Sequence, residues 1–142
     1  MKQPVLETKS MYKGYPYVVL FMPGAYRCGY VGVPYSHKLA KKSVNDLGWL
    51  NCHGGVTYAE SRLYNCDDKD TWWIGFDCAH CFDGYDIELA KQYFGYDPDF
   101  KRILHTMEDF WRESNKDSET KIRSLAYVKD ECKKLIDQIE KE

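Results

Sequence analysis

Two kinds of hydrophobic spacing divide this chain, and their order limits its fold more than any single motif does. As far as Asp77 the apolar residues come in short runs, rich in aromatic and β-branched side chains and broken by glycine and proline. Beyond Asp86 they recur at helical spacing. Strands first and helices afterwards is the order of an α+β fold. The expectation is therefore a mainly antiparallel sheet from the N-terminal half with helices from the C-terminal half packed on it.

Tyr15 to Met22 reads as a strand ending at the turn signal Pro23-Gly24, and Ala25 to Val33 as a second strand stopped by Pro34. Their short link predicts an antiparallel hairpin. Residues 1–14 are polar and are expected to be a loosely ordered segment before a single α+β domain over 15–142. Ser36 to Gly48 reads as a loop or short helix. Trp49 to Ala59 and Thr71 to Asp77 are the next strands, with a polar turn over Asn65 to Asp70. Ile87 to Phe94 is expected to be helical, capped by Asp86 and closed by Gly95. Asp97-Pro98 places an N-cap before a proline at the first helical position. A last helix from about Glu119 to Glu140 carries the stripe Ile122, Leu125, Val128, Cys132, Leu135, Ile136 and Ile139. That stripe needs a surface, either the sheet of this chain or a second copy, which would make a homo-oligomer through the C-terminal helix.

The charges are nearly balanced, 20 basic against 22 acidic residues. That argues against binding extended nucleic acid, which needs clustered Lys and Arg. The longest apolar run, Val18 to Met22, is too short to span a bilayer, and Met1-Lys2-Gln3-Pro4 begins no apolar leader. The reading is a cytoplasmic chain with no membrane partner and with its six cysteines as reduced thiols.

Three glycine-containing stretches concentrate the chemistry: Gly29-Tyr30-Val31-Gly32-Val33-Pro34, His53-Gly54-Gly55-Val56-Thr57-Tyr58, and Trp72-Trp73-Ile74-Gly75-Phe76-Asp77-Cys78-Ala79-His80. Glycine within a strand marks a bulge or close approach by a ligand or another backbone. Alternation puts Trp72, Ile74 and Phe76 on one face and Trp73, Gly75 and Asp77 on the other. If Asn51 to Tyr58 is extended, His53, Gly55 and Thr57 share a face. One sheet face would then show Tyr30, His53, Thr57, Trp73 and Asp77 around a glycine-lined floor including Gly32. His53, followed by two glycines, is an uncrowded imidazole beside exposed backbone N–H groups, suited to acid–base work near an anion. Asp77, His80 and Asp83 form an Asp-x-x-His-x-x-Asp cluster in which carboxylates can orient the histidine. Asp83-Gly84 is equally a turn pair. Cys78 and Cys81, with Cys52 and His53, would make a zinc site, but the ligand pattern is incomplete and the cysteines read equally as small apolar residues, so no metal or cofactor is expected. His37 and His105 read as plain surface or helix residues. Lys38, Lys41 and Lys42 read as a solvated face or the rim of an anion pocket.

The same three stretches, with Asp83 and the late run Ser124-Leu125-Ala126-Tyr127-Val128-Lys129-Asp130-Glu131-Cys132, resemble a family of small bacteriophage and prophage proteins over about residues 28–140. Cys81-Phe82 departs from the small residues usual there. The resemblance implies a viral origin and expression in a bacterial cytoplasm. By analogy with small phage accessory proteins, the expected function is recognition of a small phosphorylated nucleotide, as a counter-defence protein that binds or hydrolyses a host immune signal. In that reading His53, Gly54 and Gly55 contact phosphate, Tyr30, Tyr58 or Trp73 stacks the base, and Asp77 with Asp83 holds His80. If the chain is a phosphoester hydrolase, His53 and His80 are the acid–base pair. The alternatives are a non-enzymatic protein that binds a host protein through a Tyr/Trp patch and its final helix, or a structural zinc domain.

Overall fold

The computed structural model describes residues 3–142. Its main body is a five-stranded sheet of order β1-β2-β3-β5-β4, antiparallel at every step. The strands are β1 (Val5–Tyr12), β2 (Tyr15–Phe21), β3 (Arg27–Pro34), β4 (Tyr58–Glu60) and β5 (Thr71–Asp77). The α+β order expected from the spacing is the order observed. The β2–β3 hairpin forms with Tyr17 opposite Val31 and Phe21 opposite Arg27.

Two strand expectations are corrected. Within the segment expected to be loose, Val5–Tyr12 is strand β1, which pairs along the whole of β2 as an edge strand, while residues 1 and 2 lie outside the described residues. Its polar residues misled because an edge strand has only one strand neighbour and keeps part of its surface in water. The ladder slips between Leu6 and Thr8, so Glu7 is a bulged residue, turned away from the regular alternation. The second correction concerns Trp49 to Ala59, of which only Tyr58–Glu60 is strand. Gly54 and Gly55 have φ of 69° and 86°, and these left-handed turns bend the chain before it can extend.

Three helices follow: α1 (Ile87–Phe94), α2 (Pro98–Ser114) and α3 (Leu125–Ile139). The predicted caps are in place. Asp86 accepts from Leu89 N–H, and Asp97 accepts from the N–H groups of Asp99 and Phe100. The last helix starts later than expected, at Leu125, where the Ser124 hydroxyl accepts from Tyr127 N–H. Ahead of it, β7 (Lys121–Ile122) pairs in parallel with β6 (Asp83–Gly84).

The face of α3 bearing Val128, Cys132, Leu135, Ile136 and Ile139 is fully buried against the sheet, with Val19, Val31, Val33, Ile74 and Phe76. Burial of each such side chain contributes about 1.5–3 kcal/mol. The helix can approach because β3 carries Gly29 there: a Cβ would lie 2.5 Å from Phe76 and 2.8 Å from the Cys132 sulfur. The stripe from Val128 to Ile139 is thus covered by this chain's own sheet, which removes it as a surface for a second copy or for a host protein, while Ile122, ahead of α3, stays half exposed. On the opposite sheet face Val18, Leu20, Cys28, Tyr30 and Trp73 pack beneath Leu63. A third cluster seats Phe94, Phe100 and Trp111 of α1 and α2 against Phe21. None of the helices is long and apolar enough to cross a membrane, among the described residues.

Candidate functional site

The sequence between β5 and α1 makes a tight turn whose purpose is visible at Asp83. Asp83 N–H donates to His80 C=O at 2.9 Å, and the Lys121 N–H donates to Phe82 C=O at 3.1 Å. These bonds draw the segment ahead of α3 alongside the turn and bring Arg123 onto the Asp83 carboxylate. The side-chain amide of Asn115, at the end of α2, extends the same ladder by exchanging two 3.0 Å bonds with the Tyr85 backbone.

Asp83 is 1% exposed, yet nitrogen groups of Arg123, His53 and His80 crowd around it. Arg123 Nε donates to it at 2.8 Å and the His80 backbone N–H at 3.1 Å. His53 Nε2 lies 2.9 Å from both carboxylate oxygens, and His80 Nδ1 lies 3.0 Å from one. Burial alone would raise the Asp83 pKa. The bonds from His53, Arg123 and His80 outweigh it and hold the carboxyl below its usual range. The same pairing raises the Arg123 pKa.

The two imidazoles differ in access. His53 is 7% exposed and both its nitrogens are engaged, Nε2 with Asp83 and Nδ1 with the Tyr127 hydroxyl at 2.8 Å. It is therefore not the uncrowded surface imidazole expected from His53-Gly54-Gly55. His80 is partly exposed: Nδ1 faces Asp83, while Nε2 is 3.7 Å from Asp77. Asp77 is itself fixed, accepting from the Thr57 hydroxyl at 3.0 Å and the Ala79 N–H at 3.1 Å. Phe82 stacks on the His80 ring at 5.4 Å and 10°, and Arg123 lies over the rings of Phe82 and Tyr127.

Comparison with models of known families, with curated proteins and with solved structures gave no match.

Two clefts meet at Ala79. One, of about 300 Å³, is lined by Tyr26, Tyr30, Thr57, Tyr58 and Asp77. The other, of about 320 Å³, is lined by His80, Cys81, Asp83, Tyr85 and Ser114. Tyr30, Thr57 and Tyr58 thus do share a cleft with Asp77, Tyr30 and Tyr58 meeting edge-on at 5.1 Å. Trp73 does not join them. At 1% exposure it is packed under Leu63 and Tyr30, and no ring can stack on it. Gly32 lines a different groove, with Met11, Pro16 and Thr71. Gly55 has open space around its α-carbon, whereas Gly54 lies directly against the His80 ring.

The lysines are not at this rim: Lys38 and Lys42 line a separate groove with Asp46 and Trp49. His37 accepts from Leu39 N–H in a loop, and His105 is on the exposed side of α2. The thiol zinc reading also fails on placement. Cys78 is buried in the core, Cys81 is exposed, and the group within ligating reach, His53, His80 and Asp83, holds no sulfur. Burial pushes the thiols of Cys28 and Cys52 up to about 12. In a thiol titration of the native protein at mildly alkaline pH, Cys81 is expected to react at once and Cys28, Cys52, Cys78 and Cys132 only on unfolding. Fast labelling of the Cys81→Ser variant at any of those four would contradict this.

Arg123 and Tyr127 belong to the cluster although no motif in the sequence marks them. Their signal was a cation and a ring four residues apart, flanking the Ser124 cap and lying off the apolar stripe.

Proposed function

We propose that this chain is a phage accessory protein that recognises a small phosphorylated nucleotide, with a counter-defence role against a host immune signal. The observation that carries the reading is the junction at Ala79. There a tyrosine-walled cleft opens beside a partly exposed imidazole held by a buried carboxylate. A base would rest against Tyr30 and Tyr58, and ribose hydroxyls would donate to Asp77 beside Thr57. The phosphate would pass to the His80 side. If the ligand is cleaved, acid–base work falls to His80 with Asp77, because His53 has no free nitrogen.

A thermal-shift series with cyclic dinucleotides, ADP-ribose and mononucleotides tests this, since a ligand of the folded state raises the melting temperature. Tyr58→Ala is expected to weaken the responding nucleotide by about 1–3 kcal/mol, the usual worth of one stacking ring. Chromatography of the incubated nucleotide separates capture from hydrolysis. If no nucleotide shifts the transition, the reading falls. The surface that then calls for a partner is Ile103 and Phe110 on α2 with Tyr96 just ahead of it, all exposed, which would favour a non-enzymatic protein-binding role.

A further inference from the structure

We propose that His53 Nε2, His80 Nδ1 and the Asp83 carboxylate form a site for one divalent transition-metal ion, zinc by preference. The candidate ligand atoms lie within 4.8 Å of one another. The nitrogen–oxygen separations are 2.9 Å and 3.0 Å. Two ligands about 2.1 Å from a shared tetrahedral ion sit about 3.4 Å apart, so each nitrogen–oxygen pair needs to spread by only a few tenths of an ångström.

The surroundings of each ligand point the same way. A metal-bound imidazole donates its other N–H to an oxygen that fixes the ring. His53 Nδ1 has such a partner in the Tyr127 hydroxyl at 2.8 Å, and the Asp77 carboxylate lies 3.7 Å from His80 Nε2, just beyond hydrogen-bond length. Asp77 is anchored in turn by Thr57 and Ala79. On Asp83 the Arg123 guanidinium takes one oxygen and the His80 backbone N–H takes the other, leaving a lone pair on each. These contacts come from three separate stretches of chain, at Thr57, at 77–80 and at 123–127.

Ligand type sets the ion. Two imidazoles and one carboxylate suit zinc, cobalt or iron, whereas magnesium prefers oxygen and retained water. Three protein ligands leave a coordination position open, and the cleft lined by His80, Asp83 and Tyr85 reaches the cluster from outside. Charge completes the case. Asp77, Asp83 and Arg123 together carry one negative charge, and a dication turns this to one positive, which an anionic ligand requires. That link to phosphate rests on the nucleotide reading; the metal site itself does not.

The test uses the full chain stripped with a chelator, near neutral pH and without nucleotide. Cobalt is followed by its visible absorption, and zinc by calorimetry. One equivalent of each is expected to bind. His80→Ala is expected to weaken binding at least about a hundredfold and Asp77→Asn about tenfold, as loss of a ligand and of its outer partner. His105→Ala is expected to change nothing. His80 is partly exposed, so its variant stays folded even if His53→Ala does not, and circular dichroism checks this. Failure of the wild-type protein to take up cobalt, or equal uptake by His80→Ala, would overturn the site. Nucleotide titrations of the stripped protein keep the two readings apart. A nucleotide that binds without metal upholds the proposed ligand whatever cobalt does, and cobalt uptake without any nucleotide response upholds the metal site alone.

Discussion

Replacing Glu7 by alanine is expected to lower the unfolding free energy by about 3–5 kcal/mol, the cost of leaving a buried charge without its partner. The bulge between Leu6 and Thr8 sets Glu7 apart from its neighbours in β1, and its carboxylate is buried. There it accepts from Arg27 Nε at 2.7 Å, Arg27 Nη2 at 3.3 Å and the Tyr93 hydroxyl at 2.7 Å. Arg27 uses its remaining Nη1 on the Arg123 carbonyl at 3.0 Å. Without Glu7 the guanidinium stays inside, bounded by the Phe21 ring and a single carbonyl. Small domains have about 5–15 kcal/mol in all, so the variant should unfold at much lower urea concentration. Adding Arg27→Met should restore part of the loss, because it removes the stranded charge. A loss below about 1 kcal/mol would mean that the pair is open to water after all.

Gly54→Ala should abolish recognition at the His80 side while leaving the sheet intact. A Cβ at this position would fall 2.2 Å from His80 Cε1 and 2.4 Å from Nε2, so the imidazole must leave its place above Asp83. The residue also sits at φ of 69°, where a side chain costs about 1–2 kcal/mol. The expected result is a modest drop in melting temperature and a loss of ligand or cobalt affinity of about a hundredfold, the usual effect of displacing a key group by an ångström. Gly55→Ala is the control. It shares the left-handed backbone, with φ of 86°, but meets nothing within 4 Å. It should therefore lose comparable stability and keep binding. Equal binding by both variants would show that the position of His80 does not matter.

How far the fold was legible depended on whether its causes are local. The β2–β3 hairpin, β5 and the Asp86 and Asp97 caps follow from residues adjacent in sequence, and they could be read there. β1 could not, because its place depends on a partner strand and a bulge that no alternation announces. The stretch around His53 was misread for a related reason. The sequence pattern puts Gly54 and Gly55 as bare positions within a strand, whereas their left-handed backbone ends the extended run. That Asp83 would meet His80 followed from their spacing. That His53, Arg123 and Tyr127 would converge on the same point did not, because a two-residue parallel bridge between Asp83–Gly84 and Lys121–Ile122 sets that encounter. Trp73 shows the complementary limit: alternation gave its face correctly, but Leu63 and the loop that carries it decide whether that face is open.

The position of β5 has a bearing on how the chain is made. It lies between β3 and β4, both of which leave the ribosome before it. Until Thr71–Asp77 arrives, the valine-rich border of β3 offers unpaired amides and carbonyls to any strand nearby, including those of neighbouring nascent chains. Substitutions that delay this insertion would be felt first as insoluble product during synthesis, in molecules that would have worked normally had they finished folding.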